Sequence, residues 1–206
     1  MKLGGSTAGQ KELASWLEVL STVTLPLIIV PGGGPFADQV RAAQQQLHFS
    51  DQAAHHMAIL AMDQFGMVVA DRSPRFRPAR TSEEIAGILE ERAVPVWLPS
   101  TMTRDAPDIP QSWDVTSDSL AAWLARRLGA ARLLLIKQVD PRFPEDRLDA
   151  LVDSGIVDAM LPHMLGENTS LYVAGPSSLP LPSEGLSTTQ MPGSLVRGAG
   201  TARAAG

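Results

Sequence analysis

Two glycine-dense turns, each placed directly after a short apolar run, constrain this chain most. They are Lys2, Leu3, Gly4, Gly5, Ser6 and, further on, Ile28, Ile29, Val30, Pro31, Gly32, Gly33, Gly34, Pro35. Backbone without Cβ atoms brings several N–H groups close to an anion, and a helix that starts just beyond adds the positive end of its dipole. Two such turns in one small domain point to a site that holds two phosphorylated or carboxylated groups at once, a geometry suited to phosphoryl transfer. A single glycine turn between strand and helix is commonplace. Neither a G-x-x-x-x-G-K-[S/T] nor a G-x-G-x-x-G string occurs in the chain, which takes most of the support from the P-loop and Rossmann readings.

With 206 residues and 44% apolar content, the chain supports one well-buried domain, expected over residues 1–192. The net charge of −5, with Lys and Arg scattered, argues against a nucleic-acid binder or a surface drawn to acidic lipid. Cysteine is absent, which excludes disulfides, thiolate metal sites and a Cys nucleophile and fits a reducing cytoplasm. No signal peptide opens the chain, and its apolar runs are too short to span a bilayer. A soluble, cytoplasmic protein acting on small molecules is the expectation.

Strands and helices alternate along the chain. Leu13, Trp16, Leu17 and Leu20 recur at helical spacing within residues 11–23, and residues 25–30 read as a buried strand. A helix over residues 35–46 puts Asp38 and Arg41 on one face, as a surface ion pair or as part of an acceptor site. Ser50 caps a helix over residues 51–65 for which Gly66 is the expected stop. In it His56 and Asp63 share a face, His55 sits with Ile59 and Met62, and the adjacent histidines diverge by about 100°, so neither is expected to hold a metal. Residues 72–80, rich in Arg and Pro, read as a loop or edge element. A helix over residues 82–91, a strand over 94–98 and a connecting loop over 99–111 follow. Thr116 or Ser117 then caps a helix that carries Asp118 in its first turn and ends at Gly129. Residues 133–136 are a buried strand leading to Lys137, Val139 and Asp140. A helix over 144–154 and a strand over 171–173 come next, and the Gly- and Ala-rich residues 193–206 read as a disordered tail. Such alternation specifies an α/β fold with a mostly parallel sheet covered on both faces.

With these turns placed, the chain resembles the amino acid kinase superfamily, which includes acetylglutamate, glutamate, aspartate, uridylate and isopentenyl phosphate kinases. The resemblance runs from Lys2 to about Val173. It is carried by residues 2–6, by Pro31, Gly32, Gly33, Gly34 and Pro35, and by Thr116, Ser117, Asp118, Ser119, Leu120, Ala121 and Ala122 ahead of an apolar strand. It implies a three-layer αβα sandwich. Residues 34–41, 54–66 and 155–158 are most similar to the kinases that phosphorylate an aminomethylfuran phosphate in methanofuran biosynthesis.

The resemblance implies an ATP- and Mg²⁺-dependent kinase, homo-oligomeric like many of its relatives, acting on a phosphate-bearing or small polar acceptor. Lys2 is then expected at the transferring phosphoryl group, with Gly4, Gly5 and Ser6 presenting N–H groups to it. Asp118 organises the catalytic lysine, and Thr116, Ser117, Lys137, Val139 and Asp140 fall on the nucleotide side. Gly32, Gly33, Gly34, Asp38, Arg41, His56, Asp63 and Asp158 fall on the acceptor side. Two departures stand out. His163 occupies the place of a second phosphate-neutralising lysine in a Met-x-Pro-Lys string, which Lys137 is expected to replace from the other side. The strand that usually precedes the lysine is almost absent, so Lys2 is expected to be held less rigidly. An inactive nucleotide-binding scaffold, or a kinase for uridylate, isopentenyl phosphate or an amino acid, is the alternative.

Overall fold

Residues 1–140, 147–180, 186 and 191–198 are described in a computed structural model of the chain. Its strands are β1 (Lys2–Leu3), β2 (Val30–Pro31), β3 (Phe76–Ala79), β4 (Val94–Trp97), β5 (Arg132–Ile136), β6 (Ser170–Ala174) and β7 (Ser194–Leu195). The helices are α1 (Lys11–Thr22), α2 (Gly34–Leu47), α3 (Asp51–Ala70), α4 (Ser82–Glu90), α5 (Ser100–Thr103), α6 (Ser117–Arg127), α7 (Leu148–Asp153) and α8 (Leu161–Met164). The main sheet runs β2-β1-β5-β6-β7 and is parallel except for β7. The parallel pair β3-β4 joins it through one bridge, Ile29 to Val96, in which Ile29 N–H donates to Pro95 O at 2.8 Å and Trp97 N–H to Ile29 O at 2.8 Å.

Strand β5 shows why helices cover both faces. Successive side chains of a strand point to opposite sides, and every residue from Leu133 to Ile136 is apolar. Leu133 and Leu135 enter one core with Trp97, Leu120, Trp123 and Leu151, while Leu134 and Ile136 enter the other with Leu3, Trp16, Leu20 and Phe65. On the first face the indoles of Trp97 and Trp123 stack at 6.1 Å between centroids. The result is the three-layer αβα sandwich implied by the sequence.

Four differences from the sequence reading have local causes. Gly66 does not end α3, which continues to Ala70. The glycine lies where the helix crosses the sheet, and a Cβ there would sit 2.5 Å from Leu98 Cδ2 and 3.2 Å from Pro31 Cγ. The loop at residues 99–111 contains α5, whose first N–H is taken by Asp63. Of the segment expected to be a tail from residue 193 onwards, Ser194 and Leu195 pair with β6, and Val196 is buried at 1% exposure, its N–H donating to Leu171 O at 2.8 Å. The branched Val196 gives the Gly- and Ala-rich end something to bury; residues 199–206 lie outside the described part. The helix expected over 144–154 is seen as α7, its earlier residues also lying outside that part.

Glycine at residue 66 gives the first test. Replacing a mid-helix glycine by alanine normally gains about 1 kcal/mol, whereas forcing a methyl into a filled core costs about 1–3 kcal/mol. Gly66→Ala is therefore expected to lower the denaturation midpoint; a rise would show that Leu98 yields freely.

Candidate active site

The carboxyl ends of the parallel strands gather the glycine turns and the charged residues at one edge of the sheet, where ligands bind in open α/β folds. Lys2 pairs in register with Leu135, so Lys137, two residues beyond, projects beside it from the neighbouring strand. Helix α6 brings Asp118 between them. Thr116 is its N-cap, and residue 118 falls in the first turn. Lys2 Nζ lies 2.8 Å from Asp118 Oδ1, and Lys137 Nζ donates to Asp118 Oδ2. The Lys2 contact is an ion pair without hydrogen-bond alignment, which leaves the buried Oδ1 lacking a directed donor.

Lys2 and Asp118 are 4% and 3% exposed, deep enough for the charges to act on one another with little screening. Burial alone pushes the Asp118 pKa up, but the Lys2 and Lys137 ammoniums outweigh it and hold the carboxyl below its ordinary value. The Lys137 pKa is lowered, first by burial and then by the nearby Lys2, against the opposing pull of Asp118 and Asp158. Two ammoniums and one carboxylate leave one excess positive charge, a centre that an anion completes.

The glycine turns interlock beside this centre. A Cβ on Gly5 would lie 2.7 Å from Gly34 N, and one on Gly32 would lie 2.7 Å from Gly5 Cα, so only glycine permits the two turns to touch. Gly34 also takes φ of +53° as it opens α2, a conformation costly for side-chain-bearing residues. The sequence reading needs one refinement here. Gly4 N–H donates to Ile136 O at 3.2 Å and Gly32 N–H to Leu3 O at 2.8 Å, so these two glycines serve close packing. Among the described residues no backbone carbonyl accepts from Gly5, Ser6, Gly33 or Gly34, whose N–H groups line the cradle. An uncommitted set of amides, a surplus of positive charge and the undirected Asp118 Oδ1 together fit the phosphate groups of a nucleotide and its metal.

A cavity of about 270 Å³ opens from this cradle, small beside the roughly 300–1,000 Å³ of sites for drug-sized ligands. Gly5, Ser6, Gly33 and Gly34 form one side of it; Asp38, Arg41, Trp113, Thr116 and Ser117 also line it, over an apolar floor that includes Ile59, Met62 and Leu120. Asp38 and Arg41 form an exposed ion pair at 3.2 Å, and the Arg41 guanidinium lies 4.6 Å from the centroid of Trp113. They are therefore both a surface pair and part of the cavity wall.

The structure separates other residues grouped by the sequence reading. His56 is exposed and lines a different cavity with Ser100, Thr103 and Arg104. Asp63 accepts from Ser100 N at 3.2 Å and Ser100 Oγ at 2.5 Å, capping α5. Asp158 is taken up by Thr116 and Ser119. On the nucleotide side, Val139 is exposed and Asp140 accepts from Ser177 N at 3.0 Å and Ser177 Oγ at 2.6 Å. His163 is exposed on α8.

His55 lines the cavity beside the cradle, the place expected for His56. It is 4% exposed, its Nδ1 lies 3.2 Å from Ser112 O, and its pKa is lowered chiefly by burial. Its position was signalled by the helical face it shares with Ile59 and Met62, the side that packs inward. Trp113 also escaped the sequence reading; the signal was an aromatic residue just before the Thr116 cap.

The comparisons agree with this architecture. The model of the amino acid kinase family matches residues 70–141. A curated relative, the (5-(aminomethyl)furan-3-yl)methyl phosphate kinase of Methanocaldococcus jannaschii, is 27% identical over 165 residues, which are 78% of this chain and 76% of that protein. Uridylate kinase from Archaeoglobus fulgidus superposes with a TM-score of 0.62 at 16% identity, covering 95% of this chain and 98% of its own. UMP kinase from Bacillus anthracis gives 0.65 at 15% identity, covering 98% and 95%. These two establish the fold. The sequence matches support a phosphotransferase, and the chain is similar to the amino acid kinase family over residues 70–141 and shares the fold of these kinases.

The buried triad makes a stability prediction. Asp118→Asn leaves two ammoniums facing a neutral amide and is expected to cost about 3–5 kcal/mol at pH 7, measured by denaturant unfolding. Because the folded pKa of Asp118 is depressed, its contribution is present above the ordinary value of about 3.9 and is lost as pH falls through the folded value. The gap between wild type and variant is therefore expected to narrow in strong acid. A constant gap would mean that charge is not its source.

Proposed function

We propose that the protein transfers the γ-phosphoryl group of ATP, with Mg²⁺, to an anionic oxygen of a small acceptor bound beside Gly33 and Gly34, and that this acceptor is an aminomethylfuran phosphate. The observation that carries the reaction class is the pair of ammoniums on Asp118 next to the free amides of two interlocked glycine turns. ATP supplies the transferable group, and the metal offsets the charge of its phosphates. Lys2 and Lys137 neutralise charge that spreads over the equatorial oxygens as the bond to the leaving phosphate breaks and that to the acceptor oxygen forms. The N–H groups of Gly5, Ser6, Gly33 and Gly34 hold donor and acceptor phosphates in line, while Asp118 orients the Lys137 ammonium through a hydrogen bond and keeps Lys2 beside it as an ion pair.

Asp118 is committed to two lysines and is poorly suited to take a proton from a hydroxyl. A phosphate oxygen is already ionised at neutral pH and needs no such base; its product is a diphosphate. Asp38 suits an aminomethyl ammonium, Arg41 a phosphate, and Trp113 a flat ring. The name of the M. jannaschii relative supports the same acceptor. A second reading, an inactive nucleotide-binding scaffold, draws on His163 standing where relatives carry a lysine.

Relatives of this fold commonly assemble, and we also infer a homo-oligomer built on α3, where Met57, Leu60 and Met67 are 39%, 53% and 48% exposed along one face. Leu60→Glu is expected to shift the sedimentation coefficient to that of the monomer; an unchanged value would place the contact elsewhere.

The function is tested by ADP release with Mg-ATP and, in turn, aminomethylfuran phosphate, uridylate, isopentenyl phosphate and aspartate. Turnover with the furan alone, lowered at least about 100-fold in Lys2→Ala, is the expected result. Turnover with another acceptor overturns the furan assignment, and silence with all four despite ATP binding favours the scaffold reading. The alkaline limb of kcat/KM is expected below the ordinary lysine value of about 10.4, since the Lys137 pKa is lowered, and is expected to move upward in Lys137→Arg. A limb that stays in place would assign it to another group.

A further inference from the structure

Asp158 lies between α7 and α8, far along the chain from α6, yet its carboxylate gathers the first turn of α6. Its Oδ2 accepts from Thr116 N at 3.0 Å, Thr116 Oγ1 at 2.7 Å and Ser119 N at 3.1 Å, and its Oδ1 accepts from Ser119 Oγ. Thr116 and Ser119 flank Asp118. Ser119 is fully buried, and Thr116 Oγ1 in turn accepts, at 3.5 Å, from Asp118 N.

A carboxylate offers about four lone-pair sites, and Asp158 meets four donors, three at Oδ2 and one at Oδ1. Little remains for the ammonium of an acceptor. By contrast, any shift of this clamp rotates the first turn of α6 and with it the Asp118 carboxylate that holds both lysines. The clamp also sets a second negative charge near Lys137, so both the direction and the charge of that lysine depend on it.

We propose that Asp158 is a positioning residue for phosphoryl transfer, which fixes Asp118, and through it Lys2 and Lys137, by clamping Thr116 and Ser119. The inference rests on the kinase reading above. It replaces the acceptor-binding role expected of Asp158 from the sequence.

The test is steady-state kinetics of Asp158→Asn and Asp158→Ala with each substrate varied, together with the alkaline limb of kcat/KM. Asn retains one oxygen acceptor and Ala none, so kcat is expected to fall in the order wild type, Asn, Ala. The Ala loss is expected to be about 10- to 100-fold, with the KM for the acceptor within about threefold of wild type. The groups facing Lys137 are Lys2, Asp118 and Asp158, and loss of the last is expected to move the alkaline limb to lower pH in both variants. A raised acceptor KM with kcat unchanged would restore Asp158 to the acceptor side and overturn the proposal. A lower melting temperature with kcat, KM and the limb all unchanged would reduce Asp158 to a helix cap and overturn it equally. Should the wild-type protein turn over none of the four acceptors, the functional reading fails first. The clamp is then read from the ¹³Cε resonance of Lys137, expected to titrate at lower pH in Asp158→Asn; an unmoved titration would overturn the proposal by itself.

Discussion

The Asp118 carboxylate, buried between two ammoniums, is the interaction on which the rest of the site depends. Each partner arrives from a different element: Lys2 from β1, Lys137 from the end of β5 and Asp118 from the first turn of α6. Buried charges persist only when paired, because desolvation is costly. A single carboxylate holds both lysines, Lys137 by a hydrogen bond and Lys2 as an ion pair, without cancelling them. The triad by itself carries one net positive charge, with the Asp158 carboxylate close enough to act on Lys137, and this arrangement suits an anion.

The same edge of the sheet shows how backbone can do what side chains do elsewhere. The two turns meet so closely that a Cβ on Gly5 or Gly32 would strike the other turn. Part of the glycine content is therefore committed to bringing the chains together through the bonds from Gly4 and Gly32, and the remaining amides are left to bind. Helix α2 leaves this cradle and α3 packs against it, so the adjoining cavity receives His55 from the inward face of α3 and Asp38 and Arg41 from the first turns of α2. The charged groups and the cavity wall thus rest largely on helices and strands, with Trp113 on the loop before α6 as the main exception.

Much of this was legible in the sequence because the elements are short, apolar and clearly punctuated. The two glycine turns, the Thr116 cap and the run at residues 133–136 located the strands and the start of α6, while the grouping of Lys2, Asp118 and Lys137 in one site came from the resemblance to the amino acid kinases. Less legible was anything that depends on contacts between distant segments. Gly66 looks like a stop until the approach of Leu98 and Pro31 to α3 is seen. His55 and His56 differ by one position, and only the packing of α3 decides which faces the cavity. Asp63 and Asp158 carry acidic chemistry in the sequence, whereas their partners, Ser100 in one case and Thr116 with Ser119 in the other, are many residues away. Spacing identifies faces of a helix; it does not identify the donors waiting across a loop.

The most direct measurement is the affinity, by titration calorimetry, of Mg-ADP with and without aluminium fluoride, which mimics the transferring phosphoryl group, for the wild type, Lys2→Met and Lys137→Met. If the two lysines on Asp118 form the phosphoryl-transfer centre, fluoride should tighten Mg-ADP binding at least about 100-fold in the wild type. Most of that gain should vanish in either variant, while affinity for Mg-ADP alone changes little. A full fluoride-dependent gain in both variants, or none in the wild type, would contradict the account.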